Sequence, residues 1–461
     1  MSFWSPDLAG HTGPKYRAIV DALAADIGAG VLGDGAKLPP QRELAWSLKI
    51  TVGTVARAYV EAERLGLVSG EVGRGTFVKP RPAEPLRLRE AGAQTDGGGL
   101  IDMARNRPSY GVASSLIGPA LARLGTSALL PELLDYEFLG GHEDYRAAGA
   151  AWVARDGVSA APESVALTVG GQHAILAAIA AISRPGEPVF GEALTYPGLK
   201  LATAFLDRKL ECLPIDEHGL IPEAVDRALA ARPGGLVYGM TTHHNPTTVT
   251  MPLARREEIA AILRRREGYF IEDGIYAFLS DQALPPLQSL APERVVYVTS
   301  LSKAISPGLR LGFAVAPVPL AARIVAATRA AATMPPILLA RLATDLIADG
   351  SAFTAVAAQK AETAKRLAIA REYLPDACPA TTSPHLWLQL PDPWRADPFA
   401  AAAYRRGVAT SPASDFATSR QMPDAVRVSI SAPRDHAQLR RGLGVIRDLL
   451  NEPPPLSGAM I

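Results

Sequence analysis

Hydrophobic positions along this chain follow the helical period near the N-terminus and change to strand-length apolar runs alternating with helical stretches further on. Residues 16–27 are amphipathic at helical spacing and stop at Gly28 and Gly30. Pro39 and Pro40 start a short helix within residues 37–45. Thr51 is a good N-cap for a third helix that carries Val55, Ala58, Tyr59 and Leu65 inward and ends at Gly66. Residues 67–78 read as two short strands around a glycine-rich tip, a hairpin or wing. Helix, helix, turn, helix and wing predict a winged helix-turn-helix over residues 14–80. A helical dimerisation or docking module is the alternative.

The pattern then breaks. Residues 81–100 carry prolines, then Arg87, Arg89 and Glu90, then Asp96-Gly97-Gly98-Gly99, the composition of a linker. About 20 such residues span roughly 70 Å at most. From 101 to 451 the apolar runs 165–169, 235–238, 269–271, 295–298 and 311–316 predict buried strands separated by helices. The long helix at 353–374 has Arg and Lys on a face expected to be solvated. A strand at 385–390, a helix at 399–406 and a strand at 426–431 predict a smaller α+β part. The fold class is therefore α/β with a mostly parallel sheet. Residues 452–461, rich in proline, are expected to form a flexible tail.

Composition narrows the function classes. The 47 basic and 46 acidic side chains nearly cancel, so any nucleic-acid binding must be local. Cys212 and Cys378, the only cysteines, make neither a disulfide framework nor a zinc spacing and fit a reducing cytoplasm. No basic-then-apolar leader opens the chain, and the most apolar stretches, 174–182 and 311–327, are short or interrupted, so no membrane association is expected.

The candidate chemistry centres on Lys303, in a turn between two apolar strands, with Ser300 and Ser302 beside it and Arg310 seven residues on. A lysine near a core is costly unless paired or neutralised, and condensing with an aldehyde cofactor neutralises it. An ordinary lysine in a surface loop is the other reading. Gly170-Gly171-Gln172, between a strand and a helix start, makes either an anion site or a tight turn. Asp273, at a strand end three residues before Tyr276, is a cofactor partner or a helix N-cap. The adjacent His243 and His244 invite a metal reading, but no carboxylate or further histidine stands at ligand spacing, so no metal is expected.

Two resemblances sharpen these alternatives. The runs L-P-P-x-R-E-L-A, T-V-x-R-A-Y and G-L-V…G-x-G-T-F-V, spread over residues 38–78, resemble the GntR family of bacterial regulators. That implies operator DNA as partner, with Arg42, Thr51, Thr54 and Arg57 facing it and Arg74 and Gly75 in the wing. The family's usual arginine after the residue matching Thr51 is here Val52, followed by Gly53, so a common contact is missing.

The run S-x-S-K followed by P-G-x-R-x-G, at 300–312, resembles the aspartate-aminotransferase-like enzymes of fold type I, whose cofactor is pyridoxal 5′-phosphate. The resemblance implies catalytic roles for Lys303 and Asp273. It implies phosphate binding by Gly171, Gln172, Ser300, Ser302 and Arg310, Tyr196 lying on the pyridine ring, and Asn245 and Tyr276 at the phenolate oxygen. Tyr136 would reach a neighbouring subunit's site, unless it is a core tyrosine, and Arg427 would grip a substrate or effector carboxylate, unless it makes a structural salt bridge. The H-N-P-T-G motif here ends in Thr248. A winged helix fused to this domain resembles the MocR subfamily: a homodimeric, cytoplasmic regulator sensing an amino-group metabolite or vitamin B6 vitamer. A working aminotransferase with an accessory DNA-binding unit is the alternative.

Overall fold

The computed structural model describes residues 4–6, 14–28, 32–33, 35–65, 67–71, 75–79, 99–109, 111, 114–137, 141–281, 284–379, 382–419 and 421–452. The expected helix stop at Gly66, the wing-tip Arg74, the linker from 81 to 98 and the tail from 453 on lie outside these residues. The chain divides into two compact units, Met1–Leu88 and Arg89–Ile461.

In the first unit α1 (Lys15–Gly28), α2 (Gln41–Ser47) and α3 (Val52–Arg64) precede an antiparallel pair, β1 (Val68–Glu71) and β2 (Gly75–Val78). Thr51 caps α3: its hydroxyl accepts from the Thr54 N–H at 3.2 Å and lies 2.8 Å from the Thr54 hydroxyl. Such a cap is worth about 1 kcal/mol. Val55, Ala58, Tyr59 and Ala62 point into a core shared with Ile19, Leu23 and Leu44. Leu65, expected inward, is instead 52% exposed. It follows the last helical residue, and Ala62 takes the inward position at the end of the stripe.

The second unit opens on β3 (Ile101–Asp102). The strands β4 (Val165–Thr168), β5 (Pro188–Glu192) and β6 (Lys209–Leu213) precede a small hairpin, β7 (Ile215–Asp216) and β8 (Gly219–Leu220). Then come β9 (Leu236–Gly239), β10 (Tyr269–Asp273), β11 (Val295–Ser300) and β12 (Gly312–Val315). Apart from the hairpin these seven form one sheet in the order β4-β12-β11-β10-β9-β5-β6. Only β12 runs antiparallel to its neighbours. Helices cover the sheet, which is why β4, β9, β11 and β12 are buried at every position and read as unbroken apolar runs. Thr168, Glu192, Gly239, Asp273 and Ser300 end their strands at one edge, where open α/β sheets bind ligands. Gly312 crosses that edge so closely that a Cβ there would lie 2.6 Å from the Gly170 carbonyl carbon.

The smaller part holds an antiparallel sheet in the order β13-β16-β15, from β13 (His385–Gln389), β15 (Ser411–Pro412) and β16 (Ala425–Ser429). It also holds β14 (Val408–Ala409), which pairs in parallel with β3. Ile101 and Met103 sit in its core, so both ends of the unit build this part. The helix Ser351–Tyr373 corrects one expectation: Arg366 is buried, not solvated. Its Nη1 donates to the carbonyls of Ile430 at 3.1 Å and Pro433 at 2.8 Å, and its Nε to Glu362 at 2.6 Å. A buried guanidinium needs this full set of acceptors. Among the described residues no helix is long and apolar enough to cross a membrane.

Candidate functional site

The site begins where β4 turns into the helix Gly171–Ile182. Gly170 adopts φ +84°, a conformation open to glycine, and starts the helix. The first helical bond runs from Ala174 N–H to the Gly170 carbonyl, so the N–H groups of 171–173 precede the ladder and form its positive end. Arg310 follows β11 and lies beside this turn: its Nη2 donates to the Val169 carbonyl at 3.1 Å. A Cβ on Gly170 would meet that Nη2 at 2.9 Å, and one on Gly171 would fall 3.7 Å from Ser300 Oγ. Ser300 Oγ in turn accepts from the Ser302 N–H at 3.2 Å. Backbone donors, a hydroxyl and a guanidinium thus converge on a cradle that side chains would fill. That donor set suits a phosphate. The Gln172 side chain is turned away, its Nε2 donating to the Gly198 carbonyl at 2.8 Å. Only its backbone N–H stays available to the cradle.

Asp273, buried at the end of β10, accepts from the Tyr238 hydroxyl at 2.7 Å and from the Ile275 N–H at 3.0 Å. Burial pushes its carboxyl up to about 6, partly offset by the Tyr238 hydrogen bond. A protonated pyridine nitrogen would return it to the charged form. Tyr196 is half-buried, and burial with the Asp273 charge pushes its phenol up. Lys303 Nζ donates to the Asn106 carbonyl at 2.5 Å. Burial and the nearby Arg427 charge lower its ammonium to about 8.

Tyr276 accepts from Asn106 Nδ2 at 2.9 Å, and burial pushes its phenol up to about 12. Asn106 Nδ2 also lies 2.8 Å from His385 Nδ1, and burial holds that imidazole neutral by driving its pKa well down. Asn245 Oδ1 accepts from Arg427 Nη1 at 2.6 Å. Arg427 is buried, bonds the Ala104 carbonyl through Nη2, and stacks over Phe416 at 4.8 Å. Its Nε is a buried donor with no hydrogen-bond partner among the described residues. That buried donor suits an incoming carboxylate. Among the described residues Arg427 makes no ion pair with an acidic side chain, the alternative reading for it; an amide and a carbonyl oxygen hold it instead.

The fold therefore brings together Gly171, Ser300, Ser302, Arg310, Tyr196, Asp273, Lys303, Asn245, Tyr276 and Arg427. Asn106, Tyr238 and His385 join them and went unread in the sequence, because their partners lie 35 to 279 residues away. Tyr136 is 67% exposed, which corrects its reading as a core tyrosine. His244 sits 3.1 Å from Glu192, a carboxylate that spacing along the chain could not reveal.

Thr248 takes φ +67° in the turn after Asn245. A β-branched residue in that region is strained by roughly 1–2 kcal/mol, less the entropy a glycine would lose. Thr248→Gly is expected to stabilise the protein by about 1 kcal/mol in denaturant unfolding.

In the first unit Arg42, Thr51 and Arg57 are exposed and Thr54 is half-buried. Arg57 stacks on the Tyr16 ring at 4.1 Å, which holds its guanidinium at the helix surface. Gly75, with φ +123°, begins β2.

Residues 100–446 match the family described as aminotransferase class I and II, and residues 15–78 match the bacterial regulatory proteins of the gntR family. An uncharacterized HTH-type transcriptional regulator of Bacillus subtilis (strain 168), YdeF, is 30% identical over 452 residues, 97% of each chain. The probable rhizopine catabolism regulatory protein MocR of Rhizobium meliloti is 27% identical over 361 residues, 73% of this chain and 72% of its own. LysN, the α-aminoadipate aminotransferase of Thermus thermophilus, was solved with N-(5′-phosphopyridoxyl)-L-leucine. It is 25% identical with a TM-score of 0.69, over 77% of this chain and 92% of its own. With a gntR-type unit ahead of an aminotransferase class I and II domain, and a full-length relative of the same kind, the chain belongs to the MocR-type transcriptional regulators.

Proposed function

We propose that this protein is a transcriptional regulator that uses pyridoxal 5′-phosphate to sense an amino-group metabolite or a vitamin B6 vitamer. One observation carries the reading: a winged DNA-binding unit and a lysine–aspartate–arginine cluster fit for this cofactor share one chain. The bound group supplies an aldehyde for amines and an electron-withdrawing ring. Lys303 holds it, Asp273 holds a proton at its ring nitrogen, and Gly171, Gln172, Ser300, Ser302 and Arg310 bind its phosphate. Tyr196 lies on the ring, and Asn245 and Tyr276 donate to its phenolate oxygen. Arg427 takes the effector's carboxylate. Arg42, Thr51, Thr54, Arg57, Arg74 and Gly75 meet the operator. The working form is a cytoplasmic homodimer in which Tyr136 reaches the partner's site.

Coupling has a short covalent path. The first residues after the linker carry the Ala104 carbonyl bonded by Arg427 and the Asn106 carbonyl bonded by Lys303. An amine that frees Lys303 and a carboxylate that draws on Arg427 both unload this segment. A ligand shifts the equilibrium only by its differential affinity for the two arrangements, and the effect is reciprocal. Operator DNA is therefore expected to move the effector midpoint, read from the cofactor's visible band, by the factor by which effector moves operator affinity. Identical midpoints with and without DNA, for an amine that alters transcription through this protein, would rule the coupling out.

The second reading, a working aminotransferase, draws support from Lys303, whose lowered pKa suits a proton carrier. Steady release of a keto acid without effect on DNA binding would favour it.

A further inference from the structure

Helix α3 buries Val55, Ala58, Tyr59 and Ala62 and leaves Val52, Gly53 and Arg57 exposed. A helix that reads an operator needs side chains able to reach base edges. The first turn of α3 offers few. The Thr51 and Thr54 hydroxyls lie 2.8 Å apart, and the Thr51 oxygen accepts from the Thr54 N–H at 3.2 Å, so this pair is engaged in starting the helix. Arg57 stands one turn beyond Gly53, its guanidinium stacked 4.1 Å from the Tyr16 ring centroid. Gly53 has no side chain to offer. Val52 remains. It is apolar and 43% exposed, and it stands where the gntR pattern carries an arginine.

Gly53 is a second, independent observation. A Cβ built there would meet only the Thr51 hydroxyl oxygen among the described residues, at 4.0 Å. Packing inside the unit therefore does not require a glycine, and glycine in a helix costs stability relative to alanine. Close approach of something outside the unit accounts for it, as when a helix backbone enters a major groove.

We infer that Val52 reads the 5-methyl group of a thymine in each operator half-site, with Gly53 letting the helix come close to the base edges. The inference rests on the operator binding proposed above. The thymine methyl is the apolar group that unmodified bases show in the major groove. Valine cannot donate to the O6 and N7 of guanine as arginine does, so a position suited to guanine selects thymine here. Packing the valine methyls on the thymine methyl removes apolar surface from water, and burying one such group is worth about four-fold in affinity.

The test uses the full-length, cofactor-loaded protein and the duplex it enriches from a random synthetic pool. Each thymine of that duplex is replaced in turn by deoxyuridine, which pairs alike but lacks the methyl. One thymine in each half-site is expected to lose about four-fold in affinity on replacement. Val52→Ala, a change at an exposed position, is expected to bind the thymine and deoxyuridine duplexes equally. Val52→Thr, which keeps one methyl, is expected to retain part of the difference. Gly53→Ala is expected to raise Tm yet weaken binding to the enriched duplex by about three-fold or more, since the open space inside the unit tolerates the methyl and the groove does not. No thymine sensitive to loss of its methyl, or a sensitivity unchanged in Val52→Ala, would overturn the reading by Val52. Gly53→Ala binding as tightly as the unaltered protein would overturn the close approach. Failure to enrich any duplex would instead remove operator binding itself, and the inference with it.

Discussion

Lys303→Ala is expected to abolish both the cofactor's covalently bound visible band and every amine-dependent change in operator affinity. The Lys303 amine lies within reach of the charges of Arg427, Asp273 and Arg310. Lys303→Arg is the informative companion, because it keeps a cation against the Asn106 carbonyl but cannot condense with an aldehyde. A normal band in either variant would overturn the role of Lys303. The pH dependence follows from the lowered pKa. Only the neutral amine attacks an aldehyde. With its pKa at about 8, roughly a tenth of Lys303 is neutral at pH 7, against about 0.04% for an unperturbed lysine. Capture of added cofactor is therefore expected to quicken as pH rises and to level off above about 8, as read by stopped-flow absorbance. A curve still rising to pH 10 would mean that Lys303 is not desolvated.

Linkage fixes the accompanying sign for stability. The folded state gives up this proton at about 8 and the unfolded chain near 10.4, so below about 8 both hold it and the burial penalty is felt in full. Between those values the unfolded state binds more protons, and this group's contribution to stability rises with pH.

Arg427→Ala carries the second large effect. The side chain offers a forked donor set, bonding Asn245 at 2.6 Å with one arm and the Ala104 carbonyl with the other, and its Nε remains for a carboxylate. Removing it takes away the grip and leaves buried acceptors unpaired, a loss of about 2–4 kcal/mol, or roughly 30- to 1000-fold in affinity for an amino-acid effector. An amine without a carboxylate is expected to lose far less. Comparing L-alanine with ethylamine against both proteins separates the two. An equal loss for both ligands would mean that Arg427 only supports the site's shape. Arg427→Lys is expected to behave more like alanine than like arginine, because a single ammonium cannot span Asn245, Ala104 and a carboxylate together.

Much of this site is legible in local sequence, and the reasons are local. Thr51 caps α3 because a hydroxyl before a helix has N–H groups within reach. Lys303, Ser300 and Arg310 could be read as a unit because the end of β11 and the connection that follows it, before β12, carry them all. Gly170 and Gly171 marked an anion cradle because the strand-to-helix turn and the unpaired N–H groups are both short-range features. The misreadings are of another kind. Arg366 looked solvated because helical periodicity cannot register the carbonyls of Ile430 and Pro433, more than 60 residues away. Leu65 looked inward because an apolar residue at the end of a helix keeps its period in the sequence after the helix has stopped.

What the sequence determined by itself, then, was the pair of units, the element types, and the residues whose partners lie within a turn or a strand end. The tertiary structure alone decided which polar groups are buried and with whom. Asn106 reaches Tyr276 and His385, Tyr238 reaches Asp273, and Arg427 reaches Asn245 only when the strand ends and the smaller part meet. The same holds for charge: Lys303 and Asp273 titrate away from their ordinary values because burial strips water from them. Desolvation is set by everything packed around a group, and no stretch of neighbouring residues encodes it.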